Sequence, residues 1–274
     1  NATLVYCADA SNVNINTRND PFTNDKDAVQ YVFWGKTGSL IIPCRGDDPL
    51  YDHNRHDAGG QNGTERWRFG AAGDISLWRP AIGADGTIHI SAKDATLYAL
   101  NPDGSVKWTF NLGDNNEYMP GIDPNTGTIY TDSSGNIIRA INPDGTGKWT
   151  LSVGSDIDST PTVGSDGTIY FGTDSNSLFA VNSDGSLKWE FSTPSGDVDN
   201  VPALSPDGSV VYAVSNDDNL YAVNTADGTE SWRFPILAES GGDESFEINS
   251  SPTVDPTDGT IYVGSDDNNL YAIN

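Results

Sequence analysis

A period of about forty residues organises this chain, and its clearest copies begin at Ser76, Glu117, Asp158, Asp199 and Ile248. Trp67, Trp108, Trp149, Trp189 and Trp232 fall 41, 41, 40 and 43 residues apart, and Pro80, Pro120, Pro161 and Pro202 keep similar step, with Pro252 a longer step on. Inside the copy from Asp158, Thr160 to Val163 is a short apolar run in which proline suits an innermost, edge-facing strand. Ser165-Asp166-Gly167 is a turn, Thr168 to Gly172 a buried strand of β-branched and aromatic residues, and Asp174-Ser175-Asn176 a second turn. Ser177 to Val181 returns antiparallel, Ser183-Asp184-Gly185 turns again, and Leu187 to Phe191 alternates apolar and polar as a strand with one wet face does. No helical periodicity interrupts the pattern. A lone sheet of this kind would leave apolar surface in water, whereas a ring of identical sheets covers it, so the chain is expected to be all-β: a β-propeller of four-stranded antiparallel blades. The five tryptophans are then structural anchors, one large ring per blade gap.

The first 75 residues fit the same frame only loosely. Thr3 to Asn16 lies over the C-terminal TIYVGSDDNNLYAIN, and Asp27 to Phe33 over GSVKWTF, with Tyr31 in the tryptophan place. Ser39 to Cys44 then supplies an inner strand and Thr64 to Phe69 an outer one, while LYDHNRHDAGGQ between them has lost the pattern. This register makes one domain over residues 1–274, degenerate in 1–75 and regular in 76–274, with seven blades. A rival register that takes residues 29–44 as middle strands gives six, and eight also remains open.

Composition narrows the partners. With 39 acidic residues against 14 basic ones and a net charge of -25, the chain repels phosphate backbones and anionic lipid, which argues against nucleic acid. No apolar run approaches a membrane span, so no membrane insertion is expected, and the N-terminus has no signal-peptide pattern. Three causes compete for the acidity: aspartate as a turn residue, solvation at high salt, and calcium binding. Cys7 and Cys44 are the two cysteines and could form one bridge in an oxidising compartment; Asn1, Asn62 and Asn249 begin glycosylation-like triplets. Both features point toward a secreted or cell-surface protein.

The SPTV, DGTIYVGS and NLYAIN segments, together with the DGS-x-KW-x-F element, resemble the PQQ-like (pyrroloquinoline-quinone-like) repeat, strongly over 76–274 and weakly before it. That resemblance implies a propeller of seven or eight blades. It says little about activity, because such blades serve quinone-dependent dehydrogenases, outer-membrane assembly scaffolds and many cell-surface proteins. The dehydrogenases are similar to one another in a chain about twice as long, adjacent bridged cysteines, and Glu, Asn and Asp ligands to calcium. None of those positions can be placed on this sequence, so no catalytic residue and no cofactor are expected, calcium being the one ion left open.

Two segments stand out as candidate sites. Asp52, His53, His56 and Asp57 gather two of the three histidines beside carboxylates, a set that could hold a transition metal. The same stretch resembles the RHD segment that precedes the first regular blade in PQQ-like proteins, which makes it a loop packed on the ring. The insertion from Ile236 to Glu247 lengthens the connection before the last blade, and Glu239, Asp243, Glu244 and Phe246 within it are candidates for a protein contact. The reading that follows is a non-catalytic scaffold for a protein partner or for self-assembly. A fragment of a quinone- and calcium-dependent dehydrogenase, or the sensor or adhesion module of a larger surface protein, are the alternatives.

Overall fold

The structure is a computed structural model that describes the backbone at 33–34, 40–41 and 55–59, and residues 65–75, 79–113, 119–133, 136–236, 250–265 and 267–274. Six antiparallel sheets follow one another along the chain, each a simple up-and-down meander. The first comprises β1 (Phe33–Trp34), β2 (Leu40–Ile41), β3 (Arg55–Gly59) and β4 (Glu65–Gly70). The second comprises β5 (Ala81–Ile82), β6 (Ile88–Ala92), β7 (Thr96–Leu100) and β8 (Val106–Asn111). Then come β9 (Gly121–Ile122), β10 (Ile129–Ser133), β11 (Ile137–Ile141) and β12 (Gly147–Ser152), followed by β13 (Thr162–Val163), β14 (Ile169–Thr173), β15 (Ser177–Val181) and β16 (Leu187–Ser192). The fifth sheet is β17 (Ala203–Leu204), β18 (Val210–Ser215), β19 (Asn219–Asn224) and β20 (Glu230–Pro235); the last holds β21 (Thr253–Val254), β22 (Ile261–Gly264) and β23 (Leu270–Ile273). The fold is a β-propeller, and the sequence unit proposed for residues 3–33 lies almost wholly outside the described residues.

The first sheet departs from the sequence register. Its inner strand is Phe33–Trp34, Leu40–Ile41 is the second strand, and Arg55–Gly59, inside the stretch that had lost the pattern, is the third. What places β3 is the residue opposite the tryptophan. Ala58 pairs Trp67 just as Ala99 pairs Trp108, Ala140 pairs Trp149, Ala180 pairs Trp189 and Ala222 pairs Trp232. A small side chain there leaves room for an indole, and a register shift directly after each alanine turns the chain toward the next hairpin.

Four of these five tryptophans also reach forward to the following sheet. The indole N–H groups of Trp67, Trp108, Trp149 and Trp189 donate to the carbonyls of Pro102, Pro143, Ser183 and Thr225 at 3.0, 2.9, 3.0 and 3.0 Å. These carbonyls lie in the turn between the third and fourth strands of the next unit. Its glycine, Gly104, Gly145, Gly185 or Gly228, has positive φ and lies so close under the indole that a Cβ would come within 2.6 to 2.8 Å of the ring. The glycine is therefore required twice, by the backbone and by the neighbour. Within their own sheets Trp108, Trp149, Trp189 and Trp232 meet the rings of His89, Tyr130, Tyr170 and Tyr212 at centroid distances of 5.5 to 5.8 Å.

The hydrophobic core sits between sheets rather than inside one. Tyr170, Leu178, Ala180 and Trp189 pack with Val198, Val211, Tyr221 and Val223 of the next unit, and Tyr212, Val214, Leu220 and Ala222 pack with Ile261, Val263 and Ile273. Burial on both faces explains why β6, β14 and β15 are buried along their whole length while β8, β12 and β20 alternate. Neighbouring units also touch near the inner strands, where Thr162 Oγ1 donates to the Pro202 carbonyl at 2.6 Å.

Candidate functional site

In an up-and-down blade the turns joining strands one to two and three to four share a rim, and the two-to-three hairpins share the opposite rim with the connections between blades. On the first rim the aspartates close turns. Asp85 and Asp166 accept from the backbone N–H and hydroxyl of Thr87 and Thr168 at 2.7 to 3.0 Å. Asp103, Asp144 and Asp184 do the same for Ser105, Thr146 and Ser186, whose hydroxyls first and N–H groups second hold these carboxyls below the usual range. In these turns the acidity is turn chemistry.

The second rim is different in one place. Asp94, Asp217 and Asp267 each accept a hydrogen bond from the tyrosine four residues on, Tyr98, Tyr221 and Tyr271, at 2.6, 2.6 and 2.5 Å. In the β14–β15 hairpin Ser175 takes the aspartate position and Phe179 the tyrosine position. The left-handed residues Ala95, Asn176, Asp218 and Asn268 align the hairpins and make Asp174 the counterpart of Asn216. The run Asp174-Ser175-Asn176 therefore corresponds to Asn216-Asp217-Asp218.

Asn216 Nδ2 donates to Asp199 Oδ2 at 2.8 Å, an amide facing a carboxylate. One unit earlier Asp174 faces Asp158, so two carboxyls meet, and an oxygen of each of Asp158, Asp174 and Asp199 lies within 4.8 Å of the others. Asp174 is open to solvent, yet desolvation of its carboxyl, a hydrogen bond with Asp158 and the charges of Asp158, Asp199 and Asp197 push its pKa up to about 7. Three carboxylates at this spacing are a donor set for a hard cation such as calcium, and a proton shared between Asp158 and Asp174 relieves the same repulsion.

A prediction follows from the neighbouring pair. Asp174→Asn rebuilds the Asn216–Asp199 arrangement and removes the raised carboxyl. A raised folded-state pKa means that the native state holds more protons than the unfolded one between about pH 4 and 7. The native carboxyl pair therefore loses stability as pH rises through that window. Solvent screening limits the effect to about 1 kcal/mol. The variant should melt about 2–4 °C higher than the parent at pH 8 and level with it at pH 4.5. Thermal unfolding at both pH values checks this, and an equal gain at both would show that charge repulsion is not the cause.

Of the residues singled out in the sequence, Asp52 and His53 lie outside the described residues, and for His56 and Asp57 only the backbone, in β3, is described. Segment 52–57 is thus in part a strand rather than a loop. Glu239, Asp243, Glu244 and Phe246 lie outside the described residues, as do Cys7 and Cys44. His89 is buried beside Trp108, and that burial lowers its pKa to about 4, which leaves a neutral ring inside the sheet stack. The Asp158, Asp174 and Asp199 group was missed. Its signal was present, because Asp158 and Asp199 stand at matching places before the unit prolines while Asp174 replaces an asparagine.

A ring of repeated sheets whose tryptophans lock each unit to the next defines the class as a repeat β-propeller. The PQQ_2 family, described as "Outer membrane protein assembly factor BamB", matches residues 133–274, and the chain belongs to this PQQ-like repeat family. The uncharacterized protein YxaL of Bacillus subtilis (strain 168) is 34% identical over 113 residues, which are 36% of this chain and 26% of YxaL, so the match spans about a quarter of that relative. The crystal structure of BamB from Moraxella catarrhalis shares the fold, with a TM-score of 0.61, 14% identity, and coverage of 84% of this chain and 70% of that one. Among the described residues no helix is long and apolar enough to cross a membrane.

Proposed function

We propose that this chain is a non-catalytic scaffold that binds protein partners at the cell envelope or surface. The observation that supports it best is the allocation of polar groups: the turn carboxylates of the first rim are taken up in capping their own backbone. The tryptophans and tyrosines are likewise taken up between sheets. What the ring offers to solvent is two rims and a sheet edge, the surfaces by which a rigid propeller recognises other chains. The family description, which names an outer membrane protein assembly factor, supports the same reading.

Two measurements on the intact chain test it. Incubation with pyrroloquinoline quinone and calcium, followed by gel filtration, should leave no quinone absorbance with the protein and no dye-linked oxidation of alcohols or aldoses. A retained chromophore with dye reduction would establish the dehydrogenase alternative instead. Crosslinking on intact cells that express the tagged chain should trap a defined protein partner outside the cytoplasmic membrane; a chain accessible only after lysis would overturn the location.

A further inference from the structure

The joint between the second and third sheets departs from the joints that follow it. Against their own tryptophans the third, fourth and fifth sheets set Tyr130, Tyr170 and Tyr212, and the second sets His89. His89 is 4% exposed, and its Nδ1 has no hydrogen-bond partner among the described residues. Ser91, two residues along β6 and on the same face, is as deeply buried, and its hydroxyl has no partner among the described residues either. It stands where β14 and β22 have Gly172 and Gly264, whose N–H groups donate to the hydroxyls of Ser159 and Ser250 at 2.6 and 2.7 Å. Among the described residues the buried core of this joint is four residues, Leu97, Leu112, Ile129 and Ile141, against eight between the third and fourth sheets.

A neutral imidazole suits this gap and a charged one does not. Protonation puts a donor on each ring nitrogen, and Nδ1 meets no acceptor among the described residues. The Trp108 ring, 5.5 Å away, attracts a cation, but burial is the largest influence on His89 and lowers its pKa to about 4. Two charges act on it from its own sheet: Asp85, in the β5–β6 turn, favours the proton, and Lys107, on β8, opposes it. These two also pair with each other at 2.9 Å. Across the gap the carboxylates of Asp123 and Asp144 are bonded within their own turns, and Arg139 lies two residues from Ile141 on the same face of β11, toward the second rim. The Tyr130 hydroxyl also lacks a partner among the described residues, but burial pushes its pKa up to about 12 and it stays neutral.

We propose that the joint between the second and third sheets is an acid-operated release: a proton on His89 is not held while the sheets are packed, so mild acid populates a form in which they part there and the imidazole reaches water. The bolt that opens is the Trp108 indole, bonded to the Pro143 carbonyl at 2.9 Å. The open form takes the proton at the ordinary value of 6.5 and the packed form only near 4, so the contribution of the neutral ring is complete above that window and is lost as pH falls through it. Between pH 7 and pH 5 the open population should rise about twentyfold. Opening also gives water to Nδ1 and to the Ser91 hydroxyl, two groups that the packed joint leaves without partners among the described residues. The release is a property of the ring and does not depend on what the ring binds.

Hydrogen exchange of the indole N–H groups in the intact chain, followed by NMR at pH 7 and pH 5 and referred to the exchange rate of free indole, tests this. Trp189, bonded to the Thr225 carbonyl at 3.0 Å and set against a tyrosine, is the reference in the same sample. Protection of the Trp108 indole should fall about twentyfold from pH 7 to pH 5 while that of Trp189 holds. The Asp158–Asp174 pair gains stability over the same drop in pH, so it works against such a loss. His89→Tyr rebuilds the arrangement of the next three sheets and should abolish the pH dependence; His89→Phe serves the same purpose if the tyrosine variant does not fold. The ring signals of His89 should titrate with a midpoint near pH 4. A midpoint near 6.5 would overturn the proposal, as would unchanged protection of Trp108 between the two pH values. Equal losses at Trp108 and Trp189 would overturn it too, showing that the whole ring unfolds, and so would a loss at Trp108 that survives in His89→Tyr or His89→Phe.

Discussion

Gly172→Ala should lower the melting temperature by roughly 10 °C, and Gly264→Ala, at the matching place in the last sheet, should barely move it. A Cβ on Gly172 would lie 1.9 Å from the Val198 carbonyl oxygen and 2.5 Å from Val198 Cγ1, whereas one on Gly264 meets nothing among the described residues closer than Ser250 Oγ at 3.4 Å. The Val198 backbone has little freedom to retreat, since its N–H donates to the Thr173 carbonyl at 3.2 Å and its side chain is buried. On the same strand residue the Ser159 hydroxyl receives the Gly172 N–H at 2.6 Å, as Ser250 receives that of Gly264 at 2.7 Å. Overpacking costs about 1–3 kcal/mol, and the upper end or beyond where the neighbour is fixed backbone, enough to separate the two alanine variants cleanly in a thermal melt. Equal melting temperatures would mean that the connection carrying Val198 yields easily, and that the approach of backbone to backbone is not what holds the β14 strand in place.

The second large effect lies in the contact of Trp189 with Gly228. Trp189→Ala should cost about 3–5 kcal/mol through the cavity it opens, in addition to the Thr225 carbonyl that loses its donor. Gly228→Ala alone should cost about 2–4 kcal/mol, because a Cβ would sit 2.7 Å from the indole at φ +74°. In the Trp189→Ala background the indole is gone and the alanine at 228 should cost only the left-handed backbone term, about 1 kcal/mol. Gly208→Ala, at φ +72° with nothing within 4 Å among the described residues, isolates that term and should match it. Denaturant unfolding of the four variants gives the coupling directly. Strict additivity would show that the indole and the glycine do not determine each other.

The repeat made the sheets legible because strand, turn and strand are written in local chemistry: β-branched runs, Asp-Gly turns and a tryptophan at a fixed step. It failed in two places, where the local chemistry does not fix the frame. Arg55–Gly59 was hidden because its flanks are polar and only Ala58, opposite Trp67, keeps the unit's identity. The alignment of Asp174 with Asn216 rather than Asp217 is not legible in the sequence, because two adjacent acids at 217 and 218 blur the frame until the left-handed residues Asn176 and Asp218 fix it. The meeting of Asp158, Asp174 and Asp199 depends on two neighbouring units being side by side, which no single copy of the repeat can show.

The forward reach of the indoles of Trp67, Trp108, Trp149 and Trp189, from one sheet into the Asp-Gly turn of the next, gives the ring a head and a tail at these four joints. Joints made this way are interchangeable, since each of the second to fifth sheets presents the same glycine behind and the same tryptophan ahead. Excising or duplicating the stretch between two equivalent tryptophans would leave every remaining indole facing a proper turn. Recombination within such a gene can thus change circumference while conserving each junction, and blade number becomes the easiest property for this lineage to alter.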